Sequence, residues 1–263
     1  MQIGTFARTN EQVLSGLKAQ PDFIELRMDL SHRINFTEAK TALNQVGVPC
    51  TLHLPSDPTW KPVDMVTEIV PFVDLGQMID AELVVFHGPI SSMLYDDIEI
   101  DSFLESLPLL YDAATESGIT LAIETLVFYY TEMMLIFEQM PKMRMVLDIG
   151  HGQILSTRNR AIGHIETYCD RIETVNVHDN HAYEIYQEIV GVEKMSSLSR
   201  EDLRDLALKS DEHLPIGNGS IEFEPIFAAL KQCNYDNRFL MLSANPDAFE
   251  EERKKFLDLW LKA

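Results

Sequence analysis

The sequence predicts an α/β fold of one kind, a single (β/α)8 barrel spanning residues 1–263. Three observations carry this. Eight short β-prone runs alternate with helix-prone stretches. No GxGxxG follows the first run, as a doubly wound open sheet with a dinucleotide site would have. The eighth run lies near the end of the chain, placed to pair with the first.

In order, strands are expected at 2–7, 23–30, 50–55, 83–88, 120–126, 143–149, 172–178 and 239–243. Helical periodicity fills 10–19, 37–46, 63–79, 102–117, 131–140, 154–169 and 224–233, and a closing helix is expected at 248–261. Asn10 and Thr37 read as N-caps, with Glu38 where the helix dipole favours an acid. Gly47 and Gly118 stand where helices must end. Asp247, after Pro246, is placed to cap the last helix. The stretch 180–220 reads as irregular apart from one helix near 199–208; loops of that length are usually functional.

Forty-two acidic residues against 21 basic ones give a formal charge of −21. That sign repels nucleic acid and anionic lipid at long range, which disfavours duplex DNA as a partner. No window approaches the ~18 unbroken apolar residues of a membrane helix, so no membrane partner is expected. The start, Met1 to Ala7, lacks the basic and apolar regions of a secretory leader. Cys50, Cys169 and Cys233 form no CxxC pair and are expected as free thiols in a reducing, cytoplasmic compartment.

Parallel barrel strands are buried on both faces and should read as apolar runs. Here one parity is polar. Glu25, Arg27 and Asp29 alternate with Ile24, Leu26 and Met28; Asn176 and His178 alternate with Val175 and Val177. If the apolar parity faces the helices, the polar parity faces the barrel axis. At the C-terminal ends of that inward parity stand His53, His87, Glu124, Asp148, His178 and Ser243, with Met241 and Ser243 taken as the inward residues of strand eight. His151, Asp211 and His213 lie just beyond strands. The C-terminal face is where barrel enzymes keep their active sites. Any one histidine alone is an ordinary core or loop residue, and Asp148 could simply cap the next segment. Five imidazoles and three carboxylates converging on one mouth form a ligand set for a divalent metal such as Zn2+ or Mn2+.

The segments that carry these residues are His53-Leu-Pro, Phe86-His-Gly-Pro, Ile123-Glu, Leu147-Asp-Ile-Gly-His, Asn176-Val-His-Asp-Asn, and the run from Asp211 to Phe223. In this order the sequence resembles the xylose-isomerase-like TIM barrels, which include endonuclease IV and sugar and sugar-phosphate isomerases and epimerases. The resemblance to endonuclease IV implies up to three zinc ions. His53, His87 and Glu124 would hold the first, and Glu124 would bridge to a second held by Asp148 and His178. His151, Asp211 and His213 would hold the third. A strand-eight glutamate would complete the second site, and Ser243 stands in its place. The related ketose epimerases bind one metal and exchange protons through two glutamates; of these, Glu124 matches and the strand-eight partner is missing. Glu25 could partly compensate, or form an ion pair with Arg27 inside the barrel.

The leading expectation is a metal-dependent isomerase or epimerase of a small sugar or sugar phosphate, with one to three divalent ions and Glu124 as the catalytic carboxylate. Arg27 is a candidate for a substrate phosphate or carboxylate, and His181 for a second substrate contact if it does more than decorate its loop. The alternative is multi-zinc phosphoester hydrolysis of endonuclease IV type, for which a small phosphoester suits the charge better than duplex DNA. A metal-binding barrel that has lost turnover is the third reading. Gly217-Asn-Gly219 reads as a turn rather than a phosphate cradle.

Overall fold

Strand β1 (Gln2–Ala7) pairs in parallel with β2 (Ile24–Asp29) on one side and with β8 (Arg238–Met241) on the other. That last pairing, Gln2 opposite Arg238 and Gly4 opposite Leu240, closes the sheet. The computed structural model describes residues 1–29, 32–189 and 197–263. In it β1, β2, β3 (Cys50–Ser56), β4 (Val84–His87), β5 (Leu121–Glu124), β6 (Arg144–Asp148), β7 (Ile172–Val177) and β8 form a closed barrel in sequence order. The expected eight-stranded barrel is the observed one; Leu30, expected in strand two, lies outside the described residues.

Between strands run α1 (Asn10–Lys18), α2 (Phe36–Val46), α3 (Val73–Met78), α4 (Asp97–Glu116), α5 (Met134–Gln139), α6 (Ile149–Gln153) and α7 (Ala161–Tyr168). They are followed by α8 (Ala182–Ile189), α9 (Arg200–Ser210), α10 (Phe223–Gln232) and α11 (Phe249–Lys262). The expected helix at 63–79 is broken into a π turn at Met65–Ile69, a 3-10 turn at Val70–Phe72 and the short α3. Pro71 is the cause, since it brings no N–H to the helical ladder. The caps sit slightly upstream of those expected. Thr9 caps α1 by accepting from Gln12 N, and Asn35 caps α2 by accepting from Thr37 N and Glu38 N. Asn245 rather than Asp247 caps the 3-10 turn before α11. Among its described residues the 180–220 stretch holds two helices, α8 and α9, where one was expected.

The cysteines are not all free thiols: Cys169 and Cys233 are joined in a disulfide, and Cys50 is the buried free one. Cys169 follows α7 and Cys233 follows α10, two helices that pack on each other, so sequence separation hid a spatial pair. Burial pushes the Cys50 thiol up to about 12. No helix among the described residues is long and apolar enough to cross a membrane.

The main core lies between strands and helices, where Ile24, Leu26, Leu52, Phe86, Ile123, Leu147 and Val175 point outward. Inside the barrel, the polar parity is interrupted by two small apolar clusters, Phe6–Phe23–Leu240–Leu242 and Leu83–Val85–Ala122–Val146. These plug the interior and leave the polar residues at the upper, C-terminal end.

Candidate functional site

Register places the first group of donors. His87 and Glu124 are direct partners across β4 and β5, and His53 lies one strand away on β3. Their atoms meet: His53 Nε2 is 3.4 Å from Glu124 Oε2, and His87 Nε2 is 3.2 Å from Glu124 Oε1. Asp148 ends β6 and also caps α6, accepting from His151 N at 2.8 Å. This cap turns His151 into the mouth, with its Nδ1 3.5 Å from Glu124 Oε1 and its Nε2 3.6 Å from Asp211 Oδ2. His178, just past β7, puts Nε2 2.9 Å from Asp148 Oδ1. Asp211 and His213 arrive on the segment after α9, with His213 Nε2 3.2 Å from Asp211 Oδ2. The His178 and His213 rings stack at 3.9 Å. All eight proposed ligands therefore come together, in the overlapping sets His53–His87–Glu124, Glu124–Asp148–His151 and His151–His178–Asp211–His213.

Three of these imidazoles are oriented from behind by a backbone carbonyl, which can only accept. His53 Nδ1 donates to Leu54 O at 2.8 Å, His151 Nδ1 to Thr125 O at 3.1 Å and His213 Nδ1 to Leu242 O at 2.7 Å. Such bonds fix the ring and turn Nε2 toward the site. Asn176 Nδ2 steadies Asp148 Oδ2 in the same way at 3.1 Å. Gly150 clears space, since a Cβ there would lie 2.0 Å from His178 Cε1.

Burial, with the Arg27 charge next, depresses His53 to about 4, so its ring is neutral and its Nε2 bears a lone pair. Burial would raise Glu124, yet His87, His53 and Arg27 hold it well below the ordinary carboxylate range. A bare imidazole nitrogen thus faces an ionised carboxylate, and neither Glu124 oxygen, nor His53 Nε2, nor His87 Nε2 has a hydrogen-bond partner. Burial would likewise lower His151, but Asp148, Asp211 and Glu124 lift it to about 10. Asp211, despite its burial, is held well below the usual range by His213 and His151.

Donors 2.0–2.1 Å from one tetrahedral ion stand roughly 3.4 Å apart. The separations of 3.2–3.6 Å across the first and third sets match that edge, and they are long for direct hydrogen bonds. Orphaned buried donors at coordination spacing fit a divalent metal.

Above them opens a cavity of about 840 Å3 lined by His87, His151, Asp211, His213, Trp60 and Arg27, among others. Arg27 reaches it while Glu25 Oε1 accepts from its Nη1 at 2.7 Å, so the interior ion pair is real and Arg27 still faces the mouth. Glu124 is fully buried and lies behind the lining, beneath His87 and His151. His181 is half-exposed, paired with Glu212 at 3.0 Å, and not among the lining residues.

The parity expected of strand eight is reversed. Leu240 and Leu242 face the barrel interior with Phe6 and Phe23, whereas Met241 joins the outer core. Ser243 points outward and donates from Oγ to Glu252 Oε2 of α11 at 2.8 Å. The inward residue at the rim of strand eight is therefore Leu242, level with His178 by the β7–β8 register.

Several site residues escaped the sequence reading. Asp179 accepts from four backbone N–H groups, those of Asn180, Gly217, Gly219 and Ile221, at 2.9–3.1 Å. It also exchanges two 2.8 Å backbone bonds with Leu214, which seats His213. Gly217-Asn-Gly219 is thus a turn filled by a protein carboxylate, as expected of a turn and unlike a phosphate cradle. An acid beside His178 and a Gly-Asn-Gly turn were visible signals, but nothing in the sequence linked them. Arg8 and Arg33 also reach the cavity, and each follows or lies near a strand end.

A sequence profile of the family described as xylose isomerase-like TIM barrel matches residues 20–262. The chain belongs to this family. An uncharacterized protein of Methanocaldococcus jannaschii is 26% identical over 178 residues, covering 65% of this chain; the chain spans 58% of that protein. A D-tagatose 3-epimerase-like protein superposes with a TM-score of 0.73 at 20% identity, over 100% of this chain and 99% of the other. D-allulose 3-epimerase from Methylomonas sp., in complex with D-allulose, gives 0.68 at 13% identity, over 98% and 96%. At these identities the likeness speaks to the fold.

Proposed function

We propose that the protein is a divalent-metal-dependent isomerase or epimerase of a small carbohydrate. The observation that carries this reading is the bare His53 Nε2 facing an ionised, partnerless Glu124 at 3.4 Å, directly beneath a substrate-sized cavity. His53, His87 and Glu124 would hold one Zn2+ or Mn2+, and Asp148, His151, His178, Asp211 and His213 would hold a second and, at most, a third. A metal there supplies Lewis acidity toward adjacent hydroxyl and carbonyl oxygens of a sugar. The sugar-epimerase neighbours support the choice of substrate class.

The chain's own carboxylates divide the remaining work. Glu124, buried and ionised, is suited to holding a cation and is the carboxylate that the family resemblance makes catalytic. Glu25 sits in the same interior, where burial lifts it to about 7 against the pull of Arg27. A group near neutrality is the better matched for giving and taking a proton at physiological pH. With Leu242 on strand eight, Glu25 is the interior glutamate left to act as partner to Glu124. Arg27 and, if its loop moves inward, His181 would contact substrate.

Incubation with aldose and ketose sugars in D2O, with added Mn2+ or Zn2+, tests this. Deuterium should enter the carbon next to the carbonyl, and a chelator should stop it. The His151–His178–Asp211–His213 set exceeds what a one-metal isomerase needs and favours one second reading, metal-dependent hydrolysis of a small phosphoester. Phosphate release without deuterium exchange would select it.

A further inference from the structure

Strand β8 brings no histidine or carboxylate to the mouth, yet its end holds one that arrives from elsewhere. His213 Nδ1 donates to Leu242 O at 2.7 Å, and Ala244 N donates to His213 O at 2.7 Å. Leu242 is still tied to β7, its N–H donating to Val177 O at 3.0 Å, but from Ser243 onward the chain leaves the sheet. His213 needs such holding. Its φ of +48° lies in the left-handed region, which a residue with a Cβ adopts at a cost and keeps only where its surroundings over-determine it. On one side, Leu214 is fixed by the two 2.8 Å bonds it exchanges with Asp179. On the other, the task falls to the segment from Leu242 to Ala244.

A side chain of α11 secures that segment. Ser243 Oγ donates to Glu252 Oε2 at 2.8 Å, closer than its 3.4 Å approach to Asn245 O. The backbone N–H of Ile216, on the loop that follows His213, also favours the charged form of Glu252. Glu252 thus sits between the two segments that meet at His213. For the fold alone it is a poor choice. It is 2% exposed, and its Oε1 has no hydrogen-bond partner. Burying a carboxylate in this way costs stability that an apolar side chain of similar size would not. A residue that costs stability while securing the contacts of a strained donor is placed for that donor.

We propose that Glu252 is a positioning residue for the third donor set. By fixing Ser243 between the two contacts that His213 makes, it keeps the His213 imidazole in place to bind a divalent cation with His151, His178 and Asp211. The proposal rests on the reading of that set as a metal site. Glu252 itself touches no donor of the set and acts only through Ser243, so β8 serves the mouth by its backbone and α11 serves it through β8.

The test compares the wild-type protein with Ser243→Ala, Glu252→Leu and Glu252→Gln by two readouts. The first is zinc affinity, from competition with a chelating dye. Ser243→Ala and Glu252→Leu, which cut the same link from either end, should each bind one zinc ion per chain roughly 10–100-fold more weakly. Glu252→Gln, whose amide oxygen can accept the same bond, should bind as the wild type does. The second readout needs no metal. In metal-free protein, isotope-labelled at histidine nitrogen, the His213 Nδ1–H proton should exchange with solvent about tenfold faster in the first two variants and be restored in Glu252→Gln. A residue that only supported the fold would lower thermal stability and move neither readout. Zinc bound equally tightly by all four proteins would overturn the proposal, as would a loss in Glu252→Gln as large as in Glu252→Leu. If no protein binds zinc, the wild type included, while the exchange pattern is as expected, Glu252 positions His213 and the metal reading is the one that fails.

Discussion

At residue scale, the space beside His178 is set by one missing atom. A Cβ on Gly150 would fall within 2.0–2.4 Å of three atoms of the imidazole, far inside contact distance, so the ring must move. Gly150→Ala should therefore leave a folded barrel, weakened by about 1–3 kcal/mol of overpacking, while metal affinity falls by roughly 10–100-fold through the misplaced ligand. Equilibrium dialysis against zinc checks this; unchanged affinity would mean that His178 is not a ligand. Glu252 makes a different prediction. Burial lifts it to about 7, with Ser243 pulling the other way, and burial lifts Glu25 to about 7 as well. An acid whose folded pKa is raised keeps its proton where the unfolded chain has lost it. Its contribution is favourable below about 4.5 and is lost as pH climbs toward 7, so stability should fall over that window. Glu252→Gln should flatten the fall, recovering up to about 3 kcal/mol at pH 8, measured by urea unfolding at pH 5 and pH 8. An equal gain at both pH values would show that the carboxyl is not the source.

At the scale of elements, what the sequence revealed depended on where polar residues broke an apolar run. Strands two to seven each carry a histidine, a carboxylate or an asparagine on one parity, so their inward faces could be read directly. Beyond Arg238 at its start, β8 is apolar on both parities, as a strand between two packed faces can be. The polar residue at its C-terminal end, Ser243, proved to bond outward to Glu252. Helix interruption by Pro71 was open to view, whereas the Cys169–Cys233 pair required knowing that α7 and α10 are neighbours. That disulfide spans 64 residues, and the chain-entropy relation gives it about 4 kcal/mol. Cys233→Ser should lower unfolding free energy by roughly that amount and make the remaining stability insensitive to reductant. Asp179 is the corresponding device on the site side. Asp179→Ala would strip partners from four backbone N–H groups and unseat the Leu214 bridge, at a cost of at least about 3 kcal/mol. The third donor set should lose its ion before the first, a sequence readable by graded chelation.

At the scale of the whole molecule, barrel closure gathers residues that are 160 positions apart, from His53 to His213, into one mouth. In a chain of net charge −21, three arginines, Arg8, Arg27 and Arg33, line the pocket that opens above the donor cluster. His53, His87, Glu124, Asp148 and His178 were legible because period-two alternation, run through successive strands, gave them a common direction, whereas His151, Asp211 and His213, beyond strand ends, were legible through the family resemblance. Of the three arginines that line the cavity only Arg27 was legible, since Arg8 and Arg33 lie beyond strand ends where periodicity gives no direction. The proposed activity depends on the cluster being built for divalent cations. The most direct test is metal content per chain, measured by elemental analysis of protein prepared without chelator and again after reconstitution with zinc or manganese. At least two bound ions per chain are predicted, falling by one in His53→Ala and by one in His213→Ala. No bound metal after reconstitution of the folded protein would contradict the account.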